Sequence, residues 1–207
     1  HFLEHEISDS GIVNPDKISL SVKVKEYLFD PIVLKKICLN NIKKYGVNLL
    51  LNREAKKEDL ESYDLVVVAT YSENNSWLDK FPSAQREYQY EVCEKLVLKL
   101  PGKYYKKSVV IFDGAFTCID PFGTTDFHVM GHVVHAIHDN HIGKHYTIND
   151  KYKQVLNKGV ISNPPFTNYN KFIDSASEYF HGINEAKHIG SMFTIRTVLP
   201  FRDHDDA

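Results

Sequence analysis

A long run rich in Tyr, Val and Leu, Arg86 to Leu100, dominates the second half of the sequence and ends at Pro101-Gly102. β-Branched and aromatic residues of this kind suit a pleated, half-buried strand. Three further β-prone runs follow, Ser108–Phe112, Ala115–Ile119 and Phe127–Ile137. They are broken at Asp113-Gly114 and Pro121-Phe122-Gly123, which carry turn chemistry. Strands joined by short turns run antiparallel, so the fold must contain a large antiparallel sheet. Met192 to Leu199 is a last strand.

The first half has a different rhythm. Ile18, Leu20, Val22 and Val24 alternate with Ser19, Ser21 and Lys23, the period of a half-buried strand. Asp30-Pro31 is an N-cap acid followed by proline at the first helical position. Apolar residues recur at helical spacing from Ile32 to Ile42, the helix runs to Tyr45, and Gly46 supplies the stop. Val47–Leu51 reads as a short buried strand, Arg53–Ser62 as a connection or one helical turn. Leu65–Ala69 is apolar on both faces, as in a sheet interior. Farther on, Tyr152–Asn157 suits a short helix and Pro164-Pro165 a loop. Phe172, Ile173, Ala176, Tyr179 and Phe180 mark an amphipathic helix. The fold class is α+β: a mixed, largely antiparallel sheet with flanking helices.

Charge and composition narrow the function classes. Hydrophobic residues make up 43% and charged residues 25% of 207, which excludes a disordered chain. The net charge of -2 offers no field to steer nucleic acid or an anionic membrane, and no apolar run reaches the roughly 18 residues of a span. Cys38, Cys93 and Cys118 are far apart and form no paired-Cys motif, so a reducing, cytoplasmic setting is expected. The motif Asn74-Asn75-Ser76 matches an acceptor for N-glycans, but no secretory signal accompanies it. There is no G-x-G-x-x-G and no G-x-x-x-x-G-K-[ST], hence no phosphate cradle in this chain.

Six of the 11 histidines stand between His128 and His145. Imidazole is a common metal ligand, and a histidine-ligated metalloprotein is one reading of the cluster. Val129, Val133, Val134 and Ile137 with Gly131 favour a strand over a helix here. On a strand, His128, His132 and His138 share one face and His135 takes the other. With no His-Glu-x-x-His, polar lining of a sheet face or pocket is the favoured reading.

Three stretches together resemble FAD-dependent amine oxidoreductases of the D-amino-acid oxidase (glycine and sarcosine oxidase) family. The first is Asp30-Pro31, a helix ending at Gly46-Val47, and Tyr63-Asp64-Leu65-Val66-Val67-Val68-Ala69-Thr70. It is similar to the stretch where that family's chain re-enters its FAD domain and turns beside the cofactor. The second is Cys118-Ile119-Asp120-Pro121-Phe122-Gly123 with His128-Val129-Met130-Gly131, and the third Gly190-Ser191-Met192-Phe193-Thr194-Ile195-Arg196. They resemble the strands that bring a glycine to the flavin and an arginine to the substrate carboxylate.

The resemblance implies one structural unit, 1–207, in which 18–45 and 86–189 are substrate-domain-like, and 46–80 and 190–207 are partial elements of a FAD-binding domain. It implies an internal portion of a larger flavoprotein, inactive alone and not itself retaining FAD, that oxidises the C–N bond of a small amine or amino acid by hydride transfer to flavin. Arg196, His132, Tyr88 and Tyr90 are its substrate-binding candidates; an arginine suits a carboxylate because its fork donates two parallel hydrogen bonds. Glu54, Ala69, Thr70, Tyr71 and Gly131 are its cofactor-side candidates. Tyr71 stands where the family has its turn glycine, and Glu54 replaces an apolar residue. The remaining alternative is a binding or structural module derived from that fold, without catalysis.

Overall fold

The computed structural model describes residues 3–5 (as backbone), 11–25, 27–113 and 116–200. The predicted Tyr/Val/Leu strand is there as β3, Tyr88–Lys99, and it is the axis of the molecule. The other strands of its sheet are β4 (Val109–Val110), β5 (Thr117–Pro121), β6 (His128–His132), β7 (Ile137–Gly143) and β8 (Lys187–Val198). The order is β4-β5-β6-β3-β7, with β8 also paired to β3, and every pairing is antiparallel. β6 and β7 share one edge of β3, meeting Leu96–Leu98 and Tyr88–Cys93 in turn. β8 takes the whole opposite edge, from Gln89↔Val198 to Lys99↔Lys187. The class is therefore mixed α and β with a largely antiparallel sheet, as expected.

Alternation along β3 sends Leu96 and Leu98 to one face, where they meet Met130 and Ile119 in the core. The cover is α3, Tyr169–Ala176, whose Phe172, Ile173 and Ala176 face inward. Tyr179 and Phe180 complete the predicted apolar face just beyond the helix end. Ile12 and Val13 join the same core, with Val13 bridging Phe180.

The helix expected after Asp30-Pro31 is α1, Pro31–Lys44. The Asp30 carboxylate accepts hydrogen bonds from the Ile32 and Val33 amides, and Gly46 takes φ 66° at the far end. Its surroundings differ from expectation, because none of the described residues from 14 to 74 is buried. Val47–Leu51 and Leu65–Ala69 form no strand and lie open to solvent. An apolar extended run becomes a strand only where another edge supplies hydrogen bonds, and among the described residues no strand lies beside either one. The alternating run at 18–24 keeps only β2, Ser21–Lys23, paired with β1, Leu3–His5; its apolar side, Leu20, Val22 and Val24, is exposed.

Three boundaries also move. Phe127–Ile137 is not one strand: β6 stops at His132, whose Nδ1 accepts from the Val134 and His135 amides, and a turn leads into β7. Local side-chain bonds of this kind compete with the ladder. The helix expected at 152–157 is α2, Asp150–Lys153, while Leu156 bridges Phe193. β8 begins at Lys187 rather than Met192. The predicted starts at Ala115, and the stretch 201–207, lie outside the described residues.

Candidate functional site

A solvent-open cleft of about 500 Å³ lies where the 3₁₀ turn Tyr71–Trp77 approaches the outer edge of β8. Its apolar floor is Ile148, Leu156 and Ile195, and its rim carries Glu73, Lys153 and Thr194. Thr70 and Tyr71, two of the cofactor-side candidates, line it. The Thr70 amide and hydroxyl both donate to Asn74 Oδ1 at 3.0 Å. Tyr71 takes φ 53°, the left-handed conformation that a turn glycine adopts without cost. Its hydroxyl accepts from the Thr197 amide at 3.0 Å and reaches the Thr197 carbonyl at 3.4 Å. The ring thereby takes the place of a neighbouring strand on the open edge of β8. Buried Asn75 secures the same turn, donating to the Arg86 and Lys144 carbonyls; the Asn74-Asn75-Ser76 motif thus belongs to the 3₁₀ turn that follows the cleft-lining residues 70–73.

Arg196 is next to the cleft-lining Ile195, but its side chain crosses to Glu91, its partner in the β3–β8 register. Nε and Nη2 both donate to Glu91 Oε2, at 2.6 and 2.5 Å. Gln89 Nε2 holds the other carboxylate oxygen at 2.7 Å. Glu91 is 3% exposed and the guanidinium 39%, so the pair is anchored from its acidic side. One edge of the arginine fork is taken, and Nη1 is left. Cys93 lies against this pair, and burial pushes its thiol up to about 11. That thiol stays protonated at neutral pH.

The other candidates fall elsewhere. His132 turns into the core: its Nδ1 accepts two amides, its Nε2–H donates to Ser175 Oγ at 3.0 Å, and its ring packs edge-on to Phe172. Burial, with His135 nearby, depresses its pKa to about 4. His135 stacks on it at 4.3 Å from the turn, instead of pointing to the opposite face. His128 shares the core face and donates to the Tyr104 carbonyl. Gly131 faces the other way; a Cβ there would lie 2.9 Å from Cys118 Sγ and 3.7 Å from Lys95 Nζ. Tyr88 and Tyr90 pack edge to face, and Tyr90 stacks on Tyr146 and donates to the Lys144 carbonyl, as ordinary sheet packing does. Ala69 and Glu54 are exposed and do not line the cleft. Among the described residues no three His, Cys, Asp or Glu side chains are placed to hold a metal ion, and no helix is long and apolar enough to cross a membrane.

Sequence reasoning passed over the best-bonded acid among the described residues. Glu94, 0% exposed, accepts from His138 Nε2 (2.8 Å), the Asn168 amide (2.8 Å), Thr167 Oγ1 (2.5 Å) and Ser191 Oγ (2.5 Å). Burial alone would raise its pKa, but the donors outweigh it and hold the carboxyl below its ordinary value. His188 Nε2 also touches Ser191 Oγ, at 3.0 Å. The Ser191 hydroxyl donates its proton to the Glu94 carboxylate, which leaves the Ser191 oxygen to accept from His188 Nε2–H. Buried Ser191 is therefore a link in a structural network. The signal was present: two glutamates, 91 and 94, three apart in an apolar strand, must point to opposite faces and be buried on both.

FAD is the cofactor the resemblance implies, and two features of the chain bear on where it could sit. The cleft volume suits a small-molecule site, roughly 300–1,000 Å³, with an aromatic wall and an apolar floor. A pyrophosphate needs free amides at a helix start. At α1 those amides are already capped by the Asp30 carboxylate, which also repels a phosphate. Searches among protein-family models, curated proteins and solved structures find nothing that matches this chain.

Proposed function

We propose that the chain is part of a FAD-dependent oxidoreductase that oxidises the C–N bond of an amino acid or related small amine. One observation supports this above the others. Residues 70–73 and 194–195 are far apart in sequence and line a single cleft. The first include Thr70 and Tyr71, which the resemblance sets beside the cofactor, and the second lie in the stretch it gives to the substrate carboxylate. Tyr71 also adopts there the left-handed turn that the family forms with glycine. When bound, the flavin supplies the electron acceptor. The chain's own residues position and enclose. Tyr71 fastens the 70–77 turn to β8 through the Thr197 backbone, and Glu91 orients Arg196 so that Nη1 remains for a substrate carboxylate. Ile148, Leu156 and Ile195 keep the floor apolar.

The test is expression of the complete reading frame that contains this segment. A yellow protein with one flavin per chain, and a strand followed by G-x-G-x-x-G in its sequence, is the expected result. A complete reading frame with neither removes the reading. The closed Arg196–Glu91 pair favours a second one, a binding module without catalysis. That reading predicts a colourless full-length protein that still binds a small ligand in the cleft, lost on Tyr71→Asp.

A further inference from the structure

A second, smaller cavity, about 160 Å³, lies at the far end of the β3–β8 pair from the cleft. Lys99 and Lys187 form two of its walls, Leu100 and Pro101 a third, and Glu185 closes it. It shares no lining residue with the cleft. What it binds is therefore independent of the flavin reading.

Lys99 and Lys187 are direct partners in the β3–β8 register, and both are exposed. Opposed residues in an antiparallel pair hold their Cβ atoms about 4.5–5.5 Å apart, and like charges there repel. No acid relieves them: no ion pair among the described residues includes Lys99, Lys103 or Lys187. Local rules of this kind are broken chiefly at functional sites. The sequence around them adds to the excess, since residues 99–107 hold four lysines and no acid in a chain of net charge -2.

A glycine admits a third ammonium. Gly182 takes φ 68°, and a Cβ there would lie 3.1 Å from Lys103 Nζ and 3.2 Å from Glu185 Oε1. A side chain at this position would push against both groups. Its absence lets the Lys103 ammonium stand over the same turn as the carboxylate that lines the cavity.

We infer that this cavity is a binding site for hydrogen phosphate. Its volume is below the roughly 300–1,000 Å³ of a small-molecule pocket, so it takes one compact group. Three lysines and one glutamate leave two positive charges, which a dianion balances. Ammonium groups hold phosphate as point charges, with no need of a glycine-rich backbone cradle. Glu185 sets the choice among anions. An ionised carboxylate accepts hydrogen bonds and cannot donate them, so the ligand must present an O–H to it. Hydrogen phosphate carries that proton. Sulfate has none, and a phosphate monoester loses its own above about pH 6.

Titration calorimetry of the purified chain with sodium phosphate, sodium sulfate and glycerol 3-phosphate tests this. The pH is about 8, where the monoester is fully ionised, and the ionic strength about 0.02 M, where surface charges are little screened. Phosphate should bind at one site per chain, and the other two anions at least roughly 10-fold more weakly. Lys99→Met and Lys187→Met should each weaken phosphate binding about 10-fold, and Lys99→Arg should keep most of it. Each methionine variant removes a repulsion, so its thermal midpoint without phosphate should be no lower than that of the unaltered chain. That measurement separates lost binding from lost folding. Glu185→Gln should erase the preference for phosphate over sulfate. The proposal is overturned if phosphate does not bind, or if both folded methionine variants bind it unchanged. Equal binding of sulfate or of glycerol 3-phosphate by the unaltered chain also overturns it, because the cavity is then a general anion patch.

Discussion

β3 and the segment 65–69 are similar kinds of sequence with opposite fates. Val92, Leu96 and Leu98 are wholly buried, while Leu65 and Val67 are more than four-fifths exposed. Both runs are rich in Val and Leu. The difference lies in neighbours: β3 has β6 and β7 on one edge and β8 on the other, and 65–69 has none among the described residues. A β-prone sequence is thus a demand for partners, and burial follows only where the same chain meets it.

Substitutions on the two sides of this contrast should separate cleanly. The largest effect belongs to Glu94→Ala, which strips the acceptor from His138, Thr167, Asn168 and Ser191 at once. It should cost about 3–5 kcal/mol in urea unfolding followed by circular dichroism. A loss below about 1 kcal/mol would mean that the network does not hold the sheet together.

Acid should weaken the sheet through His132. Its folded pKa, about 4, lies below the ordinary histidine value, so the unfolded chain takes up the proton first. Stability is complete above pH about 6.5 and falls by up to about 3 kcal/mol as the pH drops toward 4. The midpoint of unfolding at pH 7 and pH 5 measures this, and His132→Gln should flatten the difference. Glu94 has a depressed carboxyl pKa, so its own contribution is lost only lower, as the pH falls through the carboxylate range.

Gly131→Ala should cost about 1–2 kcal/mol, because the new methyl would press on Cys118 Sγ at 2.9 Å. Adding Cys118→Ala should recover part of that loss, and strict additivity of the two changes would show that they do not touch. The smallest effect is expected on the open side: Leu65→Ser should shift the unfolding of the isolated chain by no more than about 0.5 kcal/mol. A larger loss would show that 65–69 is already packed in the chain alone.

How much of this was legible beforehand follows the same division. β3, α1 with its Asp30 cap, α3 and the antiparallel class were readable because their signals are local: period, cap and turn. The strands expected at 47–51 and 65–69 failed because hydropathy records what a segment would bury and not whether a neighbour exists. The end of β6 was missed since a histidine ring nitrogen, satisfying two amides at Val134 and His135, leaves no pattern in hydropathy. Thr70 and Tyr71, named through the resemblance, line the cleft. Glu91 and Glu94 lie outside it and were passed over, because their partners Arg196, Ser191 and Asn168 come from distant sequence.

The pairing of β3 with β8 also sets an order of events during synthesis. Partner residues lie about 90 to 110 positions apart, so β3 leaves the ribosome roughly 5–20 s before β8 at ordinary elongation rates. Through that interval one full edge of an apolar strand has nothing to pair with, and long-range closure of this type is intrinsically slow. The nascent chain is therefore most prone to aggregate between the emergence of residue 99 and that of residue 198, and truncation anywhere in that window should produce insoluble product.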